Sequence, residues 1–395
     1  MGEYRYWISL AVLIVGMAFN GGAAGMVIPL ISLRFESWGA EPFMMGLAAA
    51  APAVATIMLF PLFTRVKTRH PLFFMVVGGM IYLIILPIMH MFEGVLIWVV
   101  LRFLLFCAII PIWLFVENAI SQRARPGLRG RTLAVYSASF YLGLSSGSIV
   151  IVWTGSAGYA PFVAAGGMMI CALACFVSVH SFIPPLSLRG KAAPWVVLSR
   201  RESRVIRIGA IGSGLVESLC FSLLVIYGIH MGLSEAEALP LLTALVIGGV
   251  LLQPLTGWLA DRASADRGSI VRLLVFTSFC VCLATVFLGA GFDSSWLRLV
   301  CAFVLGGCCN AFYTLSIVDM SHRFTGDEAL EMNAGILFGY SSSSFLGPIL
   351  AGGAMTWLPS SIRDQGFVLV LFLIGLTIAA LALTSGRAAW SGRRS

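Results

Sequence analysis

Three ionisable side chains interrupt stretches of the chain that are otherwise apolar. Arg102 stands in Leu101-Arg102-Phe103, Glu117 precedes Asn118, and Glu217 has Ser213 and Gly214 one helical turn before it. At mid-helix in hydrocarbon a charge costs at least about 2.5–3.5 kcal/mol, so each is a candidate for handling an ion or solute. A carboxyl at Glu217 must be protonated or paired, which equips it to bind and release a proton or to meet a cationic solute. The alternative is a neutral Glu hydrogen-bonded to a neighbouring helix. Arg102 could equally be satisfied by helix carbonyls and hold helices together. Glu117, six residues before Arg123, suits a proton exit or a partner for a loop arginine. Arg298 falls close enough to a span end to snorkel to headgroups.

Uncharged polar and aromatic residues accompany them at similar depth: Asn20, Trp113, Tyr136, Tyr141, Asn310, Tyr313, Asn333 and Tyr340. Aromatics mixed with scattered amides suit an amphipathic organic solute better than a sugar, which needs denser hydrogen bonding. No H-E-x-x-H, P-loop or G-x-S-x-G occurs, and the five His are scattered near span ends, so an enzyme is not indicated. The nine Cys lie in apolar runs without a C-x-x-C and read as small hydrophobes. No metal or cofactor is expected. Without an ATP-binding motif, uphill transport would draw on an ion gradient.

The elements that must position these groups follow from composition. The 395 residues are 59% hydrophobic and 11% charged, which excludes a soluble multidomain protein, a disordered chain and a nucleic-acid binder. Twelve apolar runs of about 20 residues are separated by short polar or Gly/Pro breaks. They run from 7 to 33, 42 to 63, 71 to 89, 95 to 121, 132 to 153, 159 to 183, 207 to 230, 238 to 260, 270 to 290, 296 to 318, 330 to 357 and 367 to 383. The first could be mistaken for a signal peptide, but its apolar run continues past Gly21 to Ala24 through Leu30 and is expected to remain as a span. With both termini cytoplasmic, 21 of the 25 Lys and Arg fall in cytoplasmic segments and two, Arg34 and Arg363, fall outside. That asymmetry also accounts for the net charge of +8 without an anionic partner.

Pro184 to Arg207 is the one long loop, and its Pro184-Pro185 and basic run mark a linker. The expected organisation is a six-helix bundle over 1–183, a solvated cytoplasmic linker over 184–206 and a second six-helix bundle over 207–395 with a basic tail. An amphipathic helix at Trp195 to Leu198, lying on the anionic inner leaflet, is the alternative for the linker. Sliding the chain by 196 residues lays span 1 on span 7 and so on, with Arg102 on Arg298 and Gly143 on Gly339. Two parallel repeats about an axis along the membrane normal are therefore expected.

The loop after span 8 reads Gly257-Trp258-Leu259-Ala260-Asp261-Arg262, then Ser264, Asp266, Arg267 and Gly268. It resembles the G-x-L-x-D-R-x-G-R-R signature of the major facilitator superfamily, with an irregularity before Arg267. Leu101-Arg102-Phe103 is similar to that superfamily's buried-Arg motif, whose Arg interacts with the coupling ion or substrate; the Gly that usually follows is absent. Trp113 to Asn118 with Arg129-Gly130-Arg131 resembles small bacterial permeases related to drug and proton antiporters.

The resemblance implies a permease working by alternating access, with spans 1, 4, 5, 7, 10 and 11 lining the cavity. In the first copy of the signature Arg65 stands where the second has Asp261, and Arg131 corresponds to Asp327, so both signs are inverted. The superfamily's arrangement then implies two cross-half pairs closing the cytoplasmic side, Arg65 with Asp327 or Glu331, and Asp261 with Arg131. Solvated loop charges are the alternative, and exposed pairs are worth only about 0–1 kcal/mol.

The expected function is secondary active transport of a small organic solute across a bacterial inner membrane, with proton-coupled efflux first and uptake of a nutrient or metal chelate second. A transport-dead receptor or scaffold is a third alternative. The expected partners are the solute, protons and the bilayer, with no nucleic acid, and the expected state is a monomer.

Overall fold

A computed structural model describes residues 3–63, 67–68, 70–123, 125, 129–187, 198–200, 203–263, 267–290, 294–324 and 326–391. Among these residues twelve helices are long and apolar enough to cross a membrane. In chain order they are α1 (Glu3–Ser37), α2 (Pro42–Phe63), α3 (Pro71–Met91), α4 (Val95–Arg123), α5 (Arg129–Thr154) and α6 (Ala160–Ser178). The second set is α7 (Arg204–His230), α8 (Glu235–Ala263), α9 (Arg267–Gly289), α10 (Ser295–Ser321), α11 (Gly326–Trp357) and α12 (Gly366–Ser391). Among the described residues the fold is helical apart from a two-residue ladder pairing Lys67 with Ser187 and Thr68 with Leu186. Helices satisfy every interior backbone group within one segment, which is what a chain of this hydropathy needs in lipid.

Helix ends follow local chemistry. Pro71 and Pro161 open α3 and α6, where no backbone N–H is needed. Glu237 caps the start of α8, its carboxylate accepting from the Ser234 N–H at 3.0 Å and hydroxyl at 2.8 Å.

The chain divides into two compact units: Met1–Ala40 with Val54–Arg189, and Glu41–Ala53 with Gly190–Ser395. Within each, the same pairings recur: α1 on α5 and α7 on α11, α3 on α4 and α9 on α10, α3 on α6 and α9 on α12. The first half of α2 groups with the second unit. There the Phe43 N–H donates to Thr356 Oγ1 at 3.0 Å and the Phe43 ring meets Trp357 with centroids 4.7 Å apart.

The stretch expected to be a solvated linker is anchored at its described residues. Leu186 and Ser187 pair with the strand after α2. Leu198 is buried, its carbonyl accepts from Arg207 Nη1 at 2.7 Å, and its side chain covers Gly339. Helix α7 accordingly starts at Arg204 rather than Arg207.

Candidate functional site

In the first unit the site is framed by close approach of α1 and α5. A Cβ on Gly21 would strike the Phe140 carbonyl, and one on Gly143 would strike that of Ala18, so only glycine lets the two backbones meet. Asn20, beside Gly21 and in the middle of α1, is 1% exposed. Both its amide nitrogen and its amide oxygen lack a hydrogen-bond partner among the described residues. Trp113 on α4 meets Phe140 edge-on at 5.0 Å and Phe106 at 5.9 Å, and its indole N–H is likewise unpartnered.

Arg102 is 6% exposed and its Nη1 has no partner among the described residues. Its depth follows from α3, which touches α4 at Gly78 and Ala108 and reaches α1 through the Tyr82 hydroxyl, a donor to the Ala23 carbonyl at 3.2 Å. Counting along the helices puts Arg102 within about 10 Å of Asn20 in depth. Glu117 is exposed and acts electrostatically on Tyr136 of α5. Its neighbour Asn118 accepts from Gln122 Nε2 at 2.9 Å while its own amide nitrogen is unpartnered. Tyr141 is half-buried and follows Phe140, whose ring it meets at 5.8 Å.

In the second unit Glu217 is the central residue of the 27-residue α7 and is 8% exposed. One turn earlier, the Ser213 hydroxyl donates to the Cys309 carbonyl of α10 at 2.8 Å, which fixes the two helices beside the carboxyl. Gly214 lies against the Tyr340 carbonyl of α11, which also accepts from Ser344 Oγ at 2.8 Å. The Tyr340 ring meets Tyr313 at 5.8 Å, edge-on. Asn310 is 9% exposed with its amide nitrogen against Gly249 of α8. Of these residues the structure brings Tyr313 and Tyr340 together, with Tyr313 packed beside Ile206 and Ala210 near the start of α7, while Asn310 faces α8.

Other expected residues lie elsewhere. Asn333 and Tyr136 sit two turns from the start of their helices and within one turn of the start of their apolar spans, rather than at mid-span. Arg298 is half-buried and within electrostatic reach of Tyr227 and Glu237, so it has protein neighbours as well as a boundary position. Of the charged loop residues, Arg65 and the side chains of Arg131 and Asp327 lie outside the described residues. Asp261 and Arg262 are exposed, and the Arg262 guanidinium lies over the Trp258 ring at 3.7 Å. Gly257 has open space around it among the described residues, and Glu331 is half-buried.

Sequence reading missed two features. Asp319 is 4% exposed and accepts from Arg323 Nε at 2.8 Å; the i, i+4 spacing near a span end was its signal. Cys220 and Cys309, read only as small hydrophobes, are both buried, and Cys309 lies within electrostatic reach of Cys220 and Glu217. Their separation along the chain carried no signal.

The major facilitator superfamily model matches residues 13–348 and 208–392. The chain belongs to the major facilitator superfamily. An MFS-type transporter of Bacillus subtilis, YfkF, is 24% identical over 404 residues, covering 99% of this chain and 98% of that one. A second, from Yersinia pestis (strain Pestoides F), is 28% identical over 255 residues, 64% of each, so the match spans under two thirds of that relative. Among solved structures the fold is similar to a bacterial homologue of the human lysosomal transporter Spinster in an inward-facing, unoccupied conformation (TM-score 0.77, 11% identity, 98% of each chain). It is also similar to the nucleoside transporter NupG (TM-score 0.73, 11% identity, 96% of this chain and 98% of that one). Superfamily membership, with twelve helices long and apolar enough to cross a membrane among the described residues, makes this chain a multi-pass membrane protein.

Proposed function

We propose that this transporter exports a small amphipathic organic solute in exchange for protons. Glu217 carries the proton, and Asn20, Arg102 and Trp113 contact the solute. The observation that carries the reading is the Glu217 carboxyl, buried at the centre of α7, where permanent charge is costly and alternation between charged and neutral forms has a use. The solute contacts rest on the buried polar atoms of the first unit. Unpartnered amide, guanidinium and indole groups cost about 1–3 kcal/mol each unless something pairs with them, and a polar solute flanked by the rings of Trp113 and Phe140 would do so. The same groups on this reading serve binding rather than catalysis.

The two six-helix halves, 1–183 and 207–395, are the moving parts, joined by the basic linker. An orientation with both termini cytoplasmic in a bacterial inner membrane is supported by the 21 of 25 Lys and Arg that it puts on the cytoplasmic side. The working unit is the monomer.

Direction is tested in energised membrane vesicles with a panel of labelled amphipathic aromatic solutes, anionic, zwitterionic and neutral. Accumulation in everted vesicles, collapsed by a protonophore, is the expected result. Accumulation in right-side-out vesicles only would overturn export in favour of uptake.

A further inference from the structure

A groove of about 1050 Å³ runs along the second unit between α7, α11 and α12. Its walls are apolar, built by Ile211 and Leu215 of α7 and Leu373 and Ile378 of α12. Gly212 keeps it narrow at mid-length, since a Cβ there would lie 2.9 Å from Ile378 Cδ1. Leu373 is 50% exposed, so the groove opens on the outer surface of the unit. One end is different in kind: Arg204 and Arg207 stand there one turn apart, at the start of α7.

Neither arginine pairs with a carboxylate among the described residues. Arg204 Nη2 donates to Thr384 Oγ1 at 3.0 Å and Arg207 Nη1 donates to the Leu198 carbonyl at 2.7 Å. Each guanidinium has five N–H donors, so beyond these neutral oxygens among the described residues both keep donors for an anion. From Arg204 to Leu215 the groove follows α7 for about 16 Å, close to the half-thickness of a hydrocarbon core of about 30 Å. A cationic end at the headgroup level and an apolar trough one leaflet deep match one kind of molecule.

We propose that this groove binds an anionic phospholipid of the cytoplasmic leaflet, with its phosphate at Arg204 and Arg207 and an acyl chain between α7 and α12. Charge complementarity selects the lipid: basic pockets between helices on the cytoplasmic side attract anionic headgroups, whereas a zwitterionic headgroup gains little there. The choice of leaflet rests on the orientation proposed above. Binding itself does not, so its measurement in detergent stands apart from both orientation and transport.

The test is native mass spectrometry of the purified full-length protein with dioleoyl phosphatidylglycerol or dioleoyl phosphatidylcholine at equal concentration. Preferential retention of phosphatidylglycerol is expected, reduced about thirtyfold in the double variant Arg204→Gln/Arg207→Gln. Leu373→Trp, which fills the trough from its exposed side, is expected to weaken retention of phosphatidylglycerol without touching the arginines. It also carries the test alone if the double variant does not fold. Equal retention of the two lipids by the wild type, or undiminished phosphatidylglycerol retention in a folded variant of either kind, would overturn the proposal.

Discussion

Trp113 and Phe140 meet edge-on with ring centroids 5.0 Å apart, and the Phe140 carbonyl sits against Gly21 of α1. One aromatic pair thus ties α4 to the tightest helix contact in the first unit, next to Asn20. A packing contact and the proposed solute contact thus fall on the same residues, and substitutions can separate them.

Trp113→Phe keeps an aromatic ring for Phe140 but deletes the unpartnered indole N–H. Its thermal unfolding should stay within a few degrees of wild type while the KM for transport rises. Trp113→Ala also loses the ring contact, worth about 0.5–1.5 kcal/mol beyond area burial, and should lower both stability and transport. Thermal unfolding paired with initial-rate transport on the same preparations checks both.

Asn20→Leu exchanges an amide whose two polar atoms lack partners for an apolar side chain of similar size. Because a buried unsatisfied group costs about 1–3 kcal/mol, this variant should unfold at the same temperature as wild type or higher. Its transport should fall at least tenfold. A stable and fully active variant would remove Asn20 from the solute site.

Gly143→Leu places a branched side chain where the Ala18 carbonyl already stands. Overpacking of this kind typically costs about 1–3 kcal/mol, and α1 cannot retreat without losing its contacts with α6 as well. A lowered unfolding temperature and reduced yield are expected, while the same change at Gly257, with open space around it among the described residues, should leave the unfolding temperature unaltered.

Much of this was legible in the sequence, for identifiable reasons. Arg102 and Glu217 stand out because charge in an apolar run has few explanations, and the structure buries both. The glycines of α5 were readable as packing residues, and Gly143 and Gly147 do press on α1. What escaped depends on contacts distant along the chain. Cys220 and Cys309 become neighbours only because α7 packs on α10. The anchoring of the linker rests on a two-residue ladder and one buried leucine, both below the length at which periodicity says anything. Asn333 stands within one turn of the start of its apolar span, so its place near the span end rather than at mid-span was already legible in the run itself.

The central claim is that Glu217 couples proton movement to solute movement, and proteoliposomes test it most directly. Internal pH would be followed with a trapped dye under an imposed pH gradient while solutes are added, comparing wild type with Glu217→Gln, which keeps the shape of the side chain. Solute-dependent proton flux in wild type, reduced at least tenfold in a folded Glu217→Gln protein, is the predicted result. Solute flux without proton movement, equal in the two proteins, would contradict it and leave Glu217 a structural residue of a facilitator.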